Sequence, residues 1–354
     1  MRDVTGQVFR FAATMALACA FTMLVIVCAG APPFQTLTLI FVGGAGSPVK
    51  LAQSLSVWVP LVICSSALLL TFSGGLWNIG VEGQIVLGAI FATGLFRLTE
   101  GAGGFHGIAL GLAAGMVGGA MWALISASLR VWGRVHEIFS GLGLNFVAVS
   151  LCLWLIFGPW KRPGIASMSG TEPIPESLWL SHLEGLPLCP VSVSLSVAVL
   201  LAVFTVMKYT RWGLTLRAVG QNPQAAEIMG LSPKRRQVEA MMCAGALAGL
   251  AGALQVVGLY HQLLPAISSG YGYTSLLVAM MASFRGFLIP PLCLFFGILN
   301  VGSIQLPLRM SLDTSLGGVI QGVLVLSLLL VQGVEASIRK MHSRGTEYDR
   351  RAAD

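Results

Sequence analysis

The sequence predicts an all-α, polytopic membrane protein with about ten transmembrane helices. Three observations lead there. The 354 residues are 55% hydrophobic and only 10% charged, whereas soluble domains carry about 25% charge. Mean hydropathy is +0.82. The apolar residues fall in continuous runs rather than in the alternation of barrel strands. About 17–25 such residues cross a bilayer as a helix, which satisfies its own backbone where no water can.

In chain order the runs cover roughly 8–30, 52–73, 83–97, 107–129, 141–159, 190–208, 237–258, 271–285, 288–307 and 313–334. In the first, Ala29-Gly30-Ala31 imitates a signal-peptide cleavage site. Its apolar core exceeds the 7–15 residues (roughly) of a typical signal core, so a retained helix is expected. The third and eighth runs are short for full crossings.

Starting from a cytoplasmic N-terminus, alternation places sixteen of the 21 Lys and Arg residues inside, Arg130, Arg134, Arg211, Arg217, Lys234, Arg235 and Arg236 among them. Lys50, Arg97, Lys161, Arg162 and Arg309 remain outside. Basic loops stay cytoplasmic during insertion, so both termini, with a tail over 335–354, are expected there. Insertion also accounts for the net charge of +7, which removes the case for nucleic acid. Six of the seven cysteines lie in apolar runs without metal-ligand spacing and read as packing residues; Cys189 lies near a loop.

The whole chain, 1–354, reads as one transmembrane domain with helix breaks near 73–84 and 268–273. The breaks are the glycine-rich Phe72–Gln84 stretch and Ser268-Ser269-Gly270-Tyr271-Gly272-Tyr273. Glycine-interrupted segments at matching places in two halves predict an inverted repeat, here of two five-helix halves, around a central site. Gly111, Gly115 and Gly119, and Gly245, Gly249 and Gly252, put small residues on one face of two helices. That spacing suits close packing within the bundle or a seam between two copies. An outer loop, 161–189, carries Pro163, Pro173, Pro175 and Pro187 with Glu172, Glu176 and Glu184. It either connects helices or meets an external partner.

Two constellations bear on function. In the loop 209–236, Asn222 is a helix N-cap, Pro223 the first helical residue and Gly230 a left-handed terminator. The short helix between them presents Ala225, Ala226 and Glu227, flanked by Arg217 and Lys234-Arg235-Arg236. It is either a docking element or an interfacial linker held by its charges. In the second constellation, Glu82 at membrane depth needs a partner or a watery cavity. Asn78, Glu82 and Gln84 either line a solute pathway and its gate or satisfy loose groups at a helix start. Asn145 stands alone in an apolar helix, where bonding to a neighbouring helix competes with lining a pathway. Trp77, Tyr271 and Tyr273 are candidates to stack on a solute or to anchor at the interface.

The run Thr210–Glu227 with Gly230, followed by Ala244-Gly245-Ala246-Leu247-Ala248-Gly249-Leu250-Ala251-Gly252, resembles the permease subunits of bacterial ABC importers for nucleosides and simple sugars. Trp77-Asn78-Ile79-Gly80-Val81-Glu82-Gly83-Gln84, Leu144-Asn145-Phe146 after His136-Glu137, and Val278-Ala279-Met280-Met281 with Arg285 and Pro290 extend the resemblance over about 50–335. The Asn-Ile-Gly-x-Glu-Gly-Gln element is similar to the nucleoside branch. Met280–Phe284 departs from the glycine-containing run expected there.

The resemblance implies that 209–236 is a cytoplasmic coupling loop docking on a separate ABC ATPase, through Arg217, Asn222, Ala225, Ala226, Glu227 and Gly230. It implies an extracytoplasmic solute-binding protein, a second permease in a homo- or heterodimer, and a bacterial inner-membrane location. ATP and Mg would sit on the partner ATPase, with no cofactor on this chain. In agreement, the chain has no G-x-x-x-x-G-K-[ST] phosphate loop, no H-E-x-x-H and no G-x-S-x-G. The expected function is a non-catalytic permease moving a nucleoside or carbohydrate-like solute by alternating access. The competing reading is a proton- or sodium-coupled transporter with Glu82 as the ion site.

Overall fold

The computed structural model describes residues 20–99 (except 22, 25 and 29), 104–162, 170–282, 285–310 and 316–327 (except 324 and 325). The helices are α1 (Pro33–Ala45), α2 (Pro48–Ser73), α3 (Val81–Leu98), α4 (Gly104–Val131), α5 (Glu137–Phe157), α6 (Pro190–Tyr209), α7 (Arg211–Gln221), α8 (Pro223–Ile228), α9 (Pro233–Gln255), α10 (Tyr271–Met281), α11 (Ile289–Ser303) and α12 (Gln305–Met310). A π-helical turn, Val256–Tyr260, prolongs α9.

Among the described residues seven helical segments are long and apolar enough to cross a membrane, fewer than the ten or so expected from the sequence. The difference has specific sources. The run at 8–30 lies mostly outside the described residues, and that at 313–334 partly so. The run at 271–285 forms α10, whose 11 residues are about half a crossing. The tail 335–354 and Pro163 also lie outside the described residues. Helix α1 was not anticipated. Pro33 stands at the start of α1, where its missing N–H costs nothing, and 13 residues follow in helix.

Two compact units are present: Leu51–Gly297, and the described residues up to Lys50 together with those from Ile298 on. In the smaller unit, Gly43 and Gly44 of α1 fit against Gly302 and Ile298.

The larger unit is built on α3, α4 and α9, whose backbones come into direct contact at several glycines. A Cβ on Gly119 would overlap the Gly245 carbonyl, one on Gly249 the Gly115 carbonyl, and one on Gly88 the Gly249 backbone. Gly252 sits equally close to the Ile85 carbonyl. Such contacts supply the dispersion that holds helices together in lipid, where apolar burial is no driving force. Of the two readings of this glycine stripe, the geometry is that of packing within one chain. At the end of α4, Arg130 pairs with Glu137 in the first turn of α5 at 2.8 Å.

The 170–189 loop lies back on the chain. The Thr171 and Ile174 N–H groups donate to the carbonyls of Leu263 and His261 at 3.0 and 2.8 Å, and Leu180 N–H to Val257 at 3.0 Å. Trp179 stacks on His261 with ring centres 4.0 Å apart. The six described cysteines are all free.

Candidate functional site

Two helix starts meet at one carboxylate. Helix α3 begins after Gly80 with Glu82 in its first turn, and α10 begins after Gly270, whose φ is +72°. A helix N-terminus leaves unpaired N–H groups bearing partial positive charge. Glu82, 5% exposed, answers those of the other helix: its oxygens accept from the N–H of Gly270 at 3.1 Å and of Gly272 at 2.7 Å. The fit depends on glycine, because a Cβ on Gly272 would stand 2.7 Å from the Glu82 backbone nitrogen and Cα.

The neighbouring polar residues close on one another. Asn78 and Gln84 exchange a reciprocal pair of amide hydrogen bonds, both 3.0 Å, across the start of α3. Asn145 of α5 accepts from Gly83 N–H at 2.9 Å and donates to the Ile79 carbonyl at 3.0 Å and to Tyr273 Oη at 3.3 Å. Five sequence candidates, Asn78, Glu82, Gln84, Asn145 and Tyr273, thus surround the two breaks, all but Tyr273 buried. In water-poor surroundings each such group needs a partner, and here the partners are other members of the group and the opened backbone. Trp77 and Tyr271 are placed differently. Trp77 is 39% exposed and edge-on to Phe72. Tyr271 is buried, its hydroxyl bonded with Ser269 and Tyr260.

The 209–236 segment folds as two helices and a turn. Thr210 caps α7 by accepting from Gly213 N–H at 3.2 Å, and Asn222 caps α8 by accepting from Ala225 N–H at 3.0 Å. Gly230 closes α8 at φ +81°. Helix α7 was not foreseen, although its signals are in the sequence: a Thr cap, then Gly213, Leu216 and Val219, buried at spacings of three. Glu239 on α9 gathers three partners: the Trp212 indole at 2.9 Å and Arg235 and Arg236, each at 2.8 Å. Those two arginines are therefore engaged within the chain.

On α8, Ala226 faces inward at 3% exposed, Ala225 is half-buried and Glu227 is exposed. Arg217 on α7 is also exposed. The most prominent side chains are two that the sequence reading passed over, Ile228 and Met229, 88% and 79% exposed.

Helix α7 seats directly on the first break. Gly220 is pressed against the Ser73 carbonyl, Leu216 lies 2.8 Å from the Cβ position of Gly74, and Gly75, at φ +74°, faces Gly220. Gln237 Nε2 adds a 3.3 Å bond to the Gly74 carbonyl. The order of contacts is α8, α7, Gly74-Gly75, the Asn78–Gln84 turn, Glu82 and the start of α10.

Comparison with known proteins supplies the class. Residues 50–329 match the model of the family described as branched-chain amino acid transport system / permease component, and the chain belongs to that family. It is a permease of the ABC importer type, akin to the nucleoside class, and a multi-pass membrane protein. It is similar to the glucose ABC transporter permease protein TsgB13 of Haloferax volcanii, at 29% identity over 96% of this chain and 90% of that protein. It is also similar to the guanosine permease NupP of Bacillus subtilis (24% identity, 81% of this chain and 82% of that one) and to the nucleoside permease NupB of Lactococcus lactis (25%, 75% of each).

Proposed function

We propose that this chain is the membrane-spanning, non-catalytic subunit of an ATP-driven importer that moves a nucleoside or a carbohydrate-like solute by alternating access. A separate ABC ATPase would bind ATP and Mg and dock on the 209–236 segment from the cytoplasm. An extracytoplasmic binding protein would deliver the solute, and a second permease, identical or different, would complete the pathway. The names of the relatives support both solute classes, guanosine or nucleoside on one side and glucose on the other. NupP and NupQ of Bacillus subtilis, both guanosine permeases similar to this chain, favour a heteromeric pair.

The observation that carries the reading is the unbroken contact from α7 to the helix break. ATP can change the pathway only by stabilising one conformation over another. A partner pulling on α8 displaces α7, which bears on Gly74 and Gly75 and so on the turn that holds Asn78, Glu82 and Gln84. Glu82, bound to two N–H groups of α10, would be the latch whose release separates the two helix starts. Trp77 and Tyr273, the more exposed members, remain the candidates for solute contact. Two helices that start after glycines and meet at their first turns also support an inverted repeat.

Ile228 and Met229 are the anchors assigned to the ATPase contact, with Ala225, Glu227 and Arg217 around them. Apolar side chains held out by a capped helix suit a pocket on a soluble partner. The test uses membrane vesicles containing the permease with its ATPase and binding protein. Ile228→Asp is expected to lower solute-stimulated ATP hydrolysis at least about tenfold, the scale of a central interface residue, while the permease remains inserted. Undiminished stimulation refutes the anchor. Uptake driven by an ion gradient in vesicles lacking the ATPase refutes the ATP-driven reading in favour of Glu82 as an ion site.

A further inference from the structure

Beyond the proposed latch, Gln255 Oε1 is one of five buried side-chain atoms without a hydrogen-bond partner among the described residues. Gln255, the last residue of α9, is 3% exposed, and its Oε1 makes no hydrogen bond to any described residue. It lines a cavity of about 20 Å³ together with Ser56 of α2, Cys189, Ser192 in the first turn of α6, Leu254 and Gly258 of the π turn. A cavity holds a water molecule once it offers about 10–15 Å³ and two to four polar partners. An unmet buried acceptor is costly, so the arrangement favours a donor in that space.

The walls supply the other partners. Ser56 donates its hydroxyl to the Pro187 carbonyl at 2.7 Å, which leaves its oxygen free to accept. Ser192 is buried, with Oγ 3.0 Å from the position a Cβ on Gly258 would take. Gly258 therefore keeps the space open. The π turn matters as well, because widening a helix by one residue displaces its backbone, and such turns recur at functional positions.

We propose that this cavity is a binding site for a single water or hydroxyl oxygen: the ligand donates to Gln255 Oε1 and accepts from the Ser192 hydroxyl, joining α6 and the π turn. The group is either a resident water, whose second hydrogen reaches Ser56 Oγ, or one hydroxyl of a polyol solute, whose single hydrogen goes to Gln255.

The test is structure determination of the purified chain in lipid nanodiscs, at a resolution that shows ordered water, once without solute and once with ribose. Density beside Gln255 without solute assigns the site to water, and density only with ribose assigns it to a solute hydroxyl. An empty cavity in both overturns the proposal. Thermal unfolding of Gln255→Met gives a sign test: loss of a bound donor lowers the midpoint, whereas removal of an unpaired acceptor from a dry cavity raises it, which would also overturn the proposal. Should that variant not fold, Gly258→Ala is expected to expel the density, and density that persists refutes the placement. None of these readouts needs the ATPase, so failure here is distinct from failure of the transport reading.

Discussion

Glycine serves two opposite ends in this chain, and the contrast separates a close-packed core from the two helix breaks. In the α3, α4 and α9 core, Gly88, Gly115, Gly119, Gly245, Gly249 and Gly252 bring helix backbones into direct contact with ordinary helical geometry. At the breaks, Gly75 and Gly270 take left-handed conformations, and Gly74 and Gly272 make room for Leu216 and for Glu82. The first set removes side chains so that helices lock. The second lets the backbone leave the helix while Glu82, Asn78, Gln84 and Asn145 satisfy the groups it opens. A substitution in the core should therefore cost stability, and one at the breaks should cost function first.

The largest expected effect tests the locked half of the contrast. Gly249→Leu places a side chain where the Gly115 backbone already is. Overpacking an apolar core costs about 1–3 kcal/mol when side chains can yield; here backbone must yield, and the cost should exceed the upper end of that range. The expected result is loss of the monodisperse permease in detergent size-exclusion chromatography. A variant that folds and transports normally would show that the core glycines are spacers rather than locks.

Next comes Glu82, the proposed latch. Glu82→Gln retains the shape but removes the charge and offers an N–H₂ group to one of two backbone donors. Hydrogen bonds to a charged group are worth about 1.5–3 kcal/mol, and part of that should be lost. The expected outcome is a folded permease with a modestly lower unfolding midpoint and a large fall in ATP-driven uptake. Equal falls in both would reduce Glu82 to a structural cap.

How much of this was legible in the sequence follows the range of each interaction. The caps at Asn222, Pro223 and Gly230, and the breaks near 73–84 and 268–273, depend on neighbours within a few residues and were readable. Glu82 was recognised as needing a partner. That the partner is the start of α10, 188 to 190 residues away, is a tertiary fact that no local pattern contains. The residues proposed to dock illustrate a different limit. Ala225 to Glu227 looked suitable because small side chains make a shallow surface, but the roll of a six-residue helix turns Ala226 inward and leaves Ile228 and Met229 outermost. Helix α1 was overlooked because Pro32-Pro33 reads as an interruption, and the structure uses it as a start.

The smallest effect is expected where the two halves of the contrast adjoin. Gly75 is left-handed and also in contact with Gly220 of α7: a Cβ there would lie 3.2 Å from the Gly220 carbonyl oxygen. Gly75→Ala adds a conformational cost of about 1–2 kcal/mol and nudges α7 by tenths of an ångström. The core glycines are untouched, so the unfolding midpoint should fall only slightly. Solute-stimulated ATP hydrolysis and uptake separate what remains. If α7 transmits motion to the break, hydrolysis should persist while uptake per ATP falls several-fold, because the partner still docks on α8 but its movement reaches Gly74 and the Asn78 turn imperfectly. An unchanged ratio of uptake to hydrolysis would mean that α7 merely rests on the break, and the path from α8 to Glu82 would have to run through α9, where Gln237 bonds to the Gly74 carbonyl and Met241 and Val238 pack with Leu76.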